Sequence, residues 1–352
     1  MHLPILSRTA PAAAALALAI CANPAHSQET QGFEGSHEGA VELTYDRSDS
    51  AQDILSLTVE YTAALRVAAG WTVQLDAVVE AVEDADDSVA FDELGAFVET
   101  LSVQYAGEGF TVYAGKINPV FGSAADLAPG LYGAEVGEEY QITEQMGFGG
   151  DVLLPSLPGL PGEHVLSIAA FAADRTLLSG SIGAHRQRVR LDDGGLSNTK
   201  GLDSFAVSLD GALETGLGYT LGYRRLASDT PGEASETAFV AGASYVTPEE
   251  AGIDLALVAE VALSRNADGL PDAERNFYTA GLTWSTGPWF VSAIASGWDE
   301  NDVAGDADLG KYELSFGREL ADGLTLDLGA QQISQGDENE TVIGARLTFG
   351  FN

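Results

Sequence analysis

The chain is short of cysteine, of positive charge and of long apolar runs, and each shortage removes a class of protein. A single cysteine, Cys21, lies near the amino end, so no intramolecular disulfide framework is available. Lys and Arg number 16 against 53 Asp and Glu, a formal net charge of −37. So acidic a chain repels phosphate backbones and anionic lipid headgroups as a whole, which argues against a nucleic-acid partner and favours cations as solutes or bridging ions. One unbroken apolar stretch, 10–21, stands out. It falls well below the roughly 20 residues needed to cross a bilayer as a helix. Elsewhere charges interrupt every apolar run within a few residues.

His2 and Arg8 precede that stretch, and Ala25-His26-Ser27 offers a small-x-small cleavage site before Gln28. The segment 1–27 is therefore expected to be a secretory signal peptide. Ile20 is larger than the residue that lipoprotein processing wants before a cysteine, so Cys21 is expected to leave with the signal. Removal of Arg8 leaves 15 bases against 53 acids, a net charge of −38. A short periplasmic leader is expected over 28–39, and a barrel over 40–352.

What the chain has in quantity is alternation. In 340–352, Thr341, Ile343, Ala345, Leu347, Phe349 and Phe351 fall on one side while Val342, Gly344, Arg346, Thr348, Gly350 and Asn352 fall on the other. A period of two means an extended strand. The same split recurs in Leu55, Leu57, Val59, Tyr61, Ala63, Leu65 and Val67 against Ser56, Thr58, Glu60, Thr62, Ala64 and Arg66. It recurs again in 253–264, where Asp254, Glu260 and Ser264 oppose an aliphatic face. An acid and a base on the second face imply a wet interior. An exported protein that spans a membrane without helices must be a closed barrel.

Sixteen segments alternate in this way: 40–47, 54–67, 71–82, 96–106, 110–118, 146–154, 164–174, 204–213, 217–226, 237–246, 253–264, 276–285, 289–298, 311–320, 324–333 and 341–351. In 289–298 the outward face is not decided by the pattern. From the second strand on, tight turns such as Ala68-Ala69-Gly70 and Ala321-Asp322-Gly323 alternate with longer polar connections, among them 83–95, 119–145, 299–310 and 334–340. Short turns at one rim, longer loops at the other and both chain ends at the short-turn rim are the expected asymmetry of an outer-membrane barrel. The fold class is thus all-β, a transmembrane antiparallel up-and-down β-barrel of about 16 strands, with 14 or 18 also compatible. Trp71, Tyr105, Phe110, Tyr219, Tyr245, Trp284, Trp289, Phe349 and Phe351 lie near the tight turns or the C-terminus, where an interfacial girdle would sit.

A sixteen-stranded barrel is too wide for side chains to fill. The third long loop, 119–145, holds Asp126, Glu135, Glu138, Glu139 and Glu144 and no base; folded inward it would form a constriction, and outside it would be a lid. Gly115-Lys116-Ile117-Asn118-Pro119-Val120-Phe121-Gly122, which leads into it, resembles the Gly-Lys-x-x-Pro-x-Gly segment of phosphate-selective and related substrate-specific porins of Gram-negative outer membranes. That resemblance implies a sixteen-stranded, commonly homotrimeric channel and places Lys116 in the lumen near the constriction. Anion selectivity does not carry over, because the acidic loop departs from the basic passage of that family. Arg66, Arg224 and Arg346 share their strands' polar faces and are read either as a partial basic pore wall opposite the loop or as lumen charges paired with Glu60, Asp76 or Asp327. The expected function is passive, cation-preferring diffusion of small hydrophilic solutes through the outer membrane. The alternative is a receptor for a chelate or an adhesin using the long loops.

His185, Arg186, Arg188 and Arg190 form a basic cluster in the fourth loop, suited to lipopolysaccharide phosphates, a subunit contact or an anionic ligand, or to balancing neighbouring acids. Past the signal segment the histidines are His37, His164 and His185, without zinc spacing, and no Gly-x-Ser-x-Gly elbow occurs, so no catalytic residue and no cofactor is assigned. The acidic run 299–308 could bind a divalent cation but lacks the EF-hand spacing.

Overall fold

The computed structural model describes residues 34–50, 53–82, 90, 91, 93–156, 159–184, 186–248, 251–302 and 305–352. The signal segment and His185 lie outside the described residues. Seventeen strands form one antiparallel sheet that closes on itself. Sixteen make the wall: β1 Glu34–Ser48, β2 Ile54–Ala68, β3 Trp71–Ala81, β4 Leu94–Gly107, β5 Phe110–Ile117, β6 Gln145–Leu154, β7 Gly162–Ala173, β9 Ser204–Leu213, β10 Leu217–Leu226, β11 Glu236–Val246, β12 Asp254–Arg265, β13 Glu274–Thr286, β14 Trp289–Asn301, β15 Asp306–Ala321, β16 Leu324–Gln335 and β17 Glu338–Phe351. The remaining one, β8 Ile182–Gly183, sits in the fourth loop. Closure is made by β1, which pairs with β2 on one side and β17 on the other, Gly39 lying opposite Phe351.

The alternation read from the sequence is the wall's inside-outside code. In β12, Leu257, Ala259, Val261 and Leu263 are exposed while Val258, Glu260, Ala262 and Ser264 are buried. In β14 the structure resolves the undecided face: Ser292, Ile294 and Ser296 are buried inside, and Ala293 lies opposite the exposed Leu314 of β15. Trp71 packs tilted against Tyr105 and Tyr105 against Phe110 at one tight turn, and Trp289 stacks on Phe316 at another. Leu314, 62% exposed at the middle of β15, tests the lipid face. Leu314→Arg is expected to lower barrel stability by about 2–4 kcal/mol, whereas Thr58→Arg, across the β1–β2 pair from Glu42, faces water and gains an opposite charge. Urea unfolding in bilayers reads the difference; equal losses would reverse the faces.

Several boundaries differ from expectation. β1 begins at Glu34, inside the segment read as a leader. The connections expected over 299–310 and 334–340 are tight: Asp299 pairs with Asp308 and Glu300 with Ala307, and Gln335 pairs with Glu338 around Gly336-Asp337. These hairpins extend past the alternating region into surroundings that are polar on both faces, where a strand needs no alternation and reads as loop.

The barrel wall is discontinuous between β4 and β5. β5 stops at Ile117, so the β4–β5 ladder runs only from Leu101 to Gly107. The upper part of β4 is met instead by β8, with Gly95 opposite Gly183 and Ala96 opposite Ile182, and Ala184 N–H donates to Leu94 O at 2.9 Å. Ile182 and Leu177 of this inserted segment are 82% exposed.

Candidate functional site: an acidic channel beside an inward loop

The third loop folds into the barrel. Its two short helices, α1 Ala124–Leu127 and α2 Glu135–Glu138, bring Phe121, Ala124, Val136, Tyr140 and Ile142 against inward Ala169, Phe171, Ala206, Ala238, Val240, Ala262 and Phe277. The β7 to β13 side of the interior is therefore filled with apolar contacts. Wall glycines make room for this packing: a Cβ at Gly281 would come within 2.6 Å of Pro129, and one at Gly344 would overlap Tyr132 and Leu131.

Two buried wall carboxylates hold the loop by its backbone. Glu260 of β12 accepts from Ser123 N at 2.8 Å, Ser123 Oγ at 2.8 Å, Ala124 N at 3.0 Å and Tyr140 Oη at 2.6 Å. Glu313 of β15 accepts from Leu131 N at 2.6 Å and Tyr132 N at 3.0 Å. Each satisfies N–H groups that would otherwise be orphaned in the lumen. On the opposite sign, Arg346 donates to Gly130 O at 3.0 Å and Leu131 O at 3.3 Å. Arg224 donates to Tyr140 O, pairs with Glu236 at 2.5 Å and lies 4.8 Å from the Phe121 ring. These two arginines are thus spent on positioning the loop. Arg66 stands apart at the tight-turn end of β2, paired in register with Glu34; the three do not form a common row.

The loop's own acids divide into two groups. Glu144 accepts from Lys116 at 2.7 Å and from Arg186 at 2.7 and 2.6 Å. Lys116 also lies 3.2 Å from Asp174 and donates to Leu178 O at 2.9 Å. At 1% exposure Lys116 is sealed under the fourth loop, on the side of β5 shared with Met146 and Leu101, and not open to the channel as the family resemblance implied. Glu135 is paired with Lys311. Glu138 and Glu139 are exposed to the interior, and Asp126 is half-buried. Burial, then the fields of Glu260 and Glu99, push the Asp126 carboxyl up to about 6. Burial, then Glu135, also raises Glu138.

Opposite Glu138 the wall carries acids. Glu60 of β2 feels the charges of Glu42 of β1, Glu80 of β3, Glu99 of β4 and Glu138 of the loop. Glu80 in turn feels Glu99 and Glu138. Thr62 and Thr100 donate to Asp76 in the same wall. Among the described residues, none of β1–β4 belongs to the loop's apolar cluster, and on that side Glu60 of the wall and Glu138 of the loop are both exposed. Glu60 and Glu80 fall on polar faces read from the sequence. Glu99 sits at a register shift of β4 opposite Asp76 and Ala77, in sequence phase with the exposed Leu101 and Val103. The cluster was missed because its members come from four strands and a loop. Positive charge beside these acids comes from Arg186, 4.1 Å from the Phe97 ring, from Lys116, from Lys311 near Glu138, and from Arg346, which lies 3.8 Å from Glu42.

Other candidate chemistry is accounted for structurally. Both ring nitrogens of His164 are engaged, Nε2 at 2.9 Å from Leu160 O and Nδ1 at 2.8 Å from Tyr219 Oη. Among the described residues no group of three or more His, Cys, Asp or Glu converges on a metal position, and the acidic run 299–308 is divided between the two strands of a hairpin.

No protein-family model and no curated protein sequence matches the chain. Solved structures do. OmpF of Salmonella typhi, in complex with daunomycin, aligns with a TM-score of 0.62 at 11% identity over 91% of this chain and 98% of that one. A mutant of Rh. blastica porin aligns with a TM-score of 0.59 at 16% identity over 90% of this chain and 100% of that one. An anion-selective porin from Comamonas acidovorans gives 0.57 at 12% over 91% of this chain and 100% of that one. A closed sixteen-stranded wall, an inward third loop and these alignments agree: the chain has the fold of the Gram-negative outer-membrane porins.

Proposed function

We propose that this protein is an outer-membrane channel for passive diffusion of small hydrophilic solutes, and that it prefers cations. The observation that carries the reading is the carboxylate-lined passage in which Glu42, Glu60, Glu80 and Glu99 of the wall face Glu138 of the loop. A porin fold supports diffusion, and fold alone does not set selectivity; here the charges meeting at the narrow part do. Carboxylates around a confined, partly low-dielectric passage raise the local concentration of cations and repel anions. The basic groups nearest the loop are already bound to it or to acids, so they offer little to an anion.

Reversal potentials across a planar bilayer under a salt gradient test this reading. The expected sign is cation preference at low salt, weakening as the screening length falls from about 30 Å at 0.01 M to about 10 Å at 0.1 M. Anion preference would overturn the selectivity, and the absence of open steps without ligand would overturn the channel.

A further inference from the structure

We propose that the outer surface of the fourth loop holds a binding site for the phosphorylated headgroup of a membrane lipid. A cavity of about 840 Å³ opens there, lined by Arg175, Arg188, Arg190 and Lys200 together with Met146 and Leu202. Four of the 15 basic residues that follow the leader thus converge on one cavity of a chain with 53 acids. Elsewhere Lys116, Arg186, Arg224, Arg275 and Lys311 each pair with a carboxylate. None of the four in the cavity has an ion-pair partner among the described residues. The Arg188 guanidinium donates to Arg175 O at 2.8 Å. Nearby acids are engaged elsewhere, Asp193 with the Arg190 backbone N–H at 2.7 Å and Asp174 with Thr176 N at 2.7 Å and with Lys116.

The cavity's position selects a lipid over a dissolved anion. Met146 lies on the outward face of β6 in phase with Phe148, which is 55% exposed, and Ala172 of the lining shares the outward phase of Ile168. The floor is therefore continuous with the membrane-facing surface, and the bases sit above it at the loop rim. A free anion must approach against the field of the whole chain, whereas a lipid is delivered by the bilayer with its acyl chains along the wall and its headgroup at the rim. Arginine forks match phosphate oxygens in pairs, and basic clusters at a membrane boundary bind phosphorylated headgroups.

The test uses the full barrel purified in neutral maltoside micelles, with lipid binding followed by native mass spectrometry. Bisphosphorylated lipid A is expected to bind, dephosphorylated lipid A to bind weakly, and inorganic phosphate not to displace the lipid. The combined variant Arg175→Gln, Arg188→Gln, Arg190→Gln and Lys200→Gln should bind the phosphorylated lipid at least about tenfold more weakly, with unit conductance unchanged. Should that variant fail to fold, Lys200→Glu alone, whose side chain makes no hydrogen bond or ion pair among the described residues, should still weaken binding severalfold. Equal binding of the dephosphorylated lipid, displacement by phosphate alone, or unchanged binding by the folded variants would each overturn the proposal. Because conductance is read separately, failure here leaves the channel reading standing, and the reverse also holds.

Discussion

Replacing Glu60, Glu99 and Glu138 together by Gln is expected to lower the cation-to-anion permeability ratio at low salt on the order of tenfold, which corresponds to about 1.4 kcal/mol of differential interaction. The three come from β2, β4 and the third loop and lie within one another's fields, so the variant removes charge from both sides of the passage. Neutralising Asp299, Asp306 and Asp308 removes as many charges from the rim hairpin, where water and salt screen them, and should change the ratio far less. Equal effects would mean that overall charge, not the passage, sets selectivity. Acid should act in the same direction. A carboxyl whose pKa is raised loses its charge on the way down in pH before an ordinary one does, and Asp126, pushed up to about 6, and the raised Glu138 are of this kind. Cation preference should therefore fall between pH 7 and pH 5, above the ordinary carboxylate range near 4. A ratio flat over that interval would remove these groups from the filter.

Glu260→Ala is expected to release the third loop. The substitution leaves Ser123 N, Ala124 N and Tyr140 Oη without their acceptor, at roughly 1–3 kcal/mol for each buried donor left unsatisfied. Unit conductance should rise on the order of twofold as the interior approaches that of an unobstructed sixteen-stranded barrel, and larger sugars should enter in liposome swelling. Glu260→Gln keeps one acceptor oxygen and should give an intermediate result. A folded Glu260→Ala barrel with unchanged conductance would show that the apolar packing around Tyr140 and Phe277 suffices to dock the loop.

Much of the wall was legible because its physics is local. Lipid outside and water or packed loop inside force a period of two, and sixteen such segments could be read without any contact information. Legibility ended where that contrast ended. The β14–β15 hairpin above the membrane is wet on both faces, so Asp299, Glu300, Asp306 and Asp308 looked like loop residues although they pair in register. The passage was legible only in part. The acids of the third loop were visible as a composition, but which of them remain unpaired depends on bases far away in sequence: Lys311 neutralises Glu135, while Lys116 and Arg186 neutralise Glu144. Arg224 and Arg346 do point inward, as their phase indicated, and each serves both a backbone carbonyl of the loop and a wall carboxylate, Glu236 and Glu42 respectively. The net charge misled in a further way, since it describes the chain's far field, while the four bases around the fourth-loop cavity act over a few ångströms.

The segment that pairs Gly183 with Gly95 bears on the order in which the barrel comes together. Neighbouring wall strands are mostly joined by hairpins, whose contacts form early because little chain must be closed between them. The upper edge of β4 has no such partner, since β5 ends below it and the missing rung is supplied from beyond β7. Until that distant piece arrives, the nascent wall carries a row of unpaired N–H and C=O groups at its rim, which hydrocarbon does not tolerate. Seating of the fourth loop is then a late step of biogenesis, and it encloses Lys116 with Glu144 and Asp174 as it occurs. The same event that seals the wall therefore fixes the stem of the third loop, so that closing the cylinder and seating the inward loop coincide.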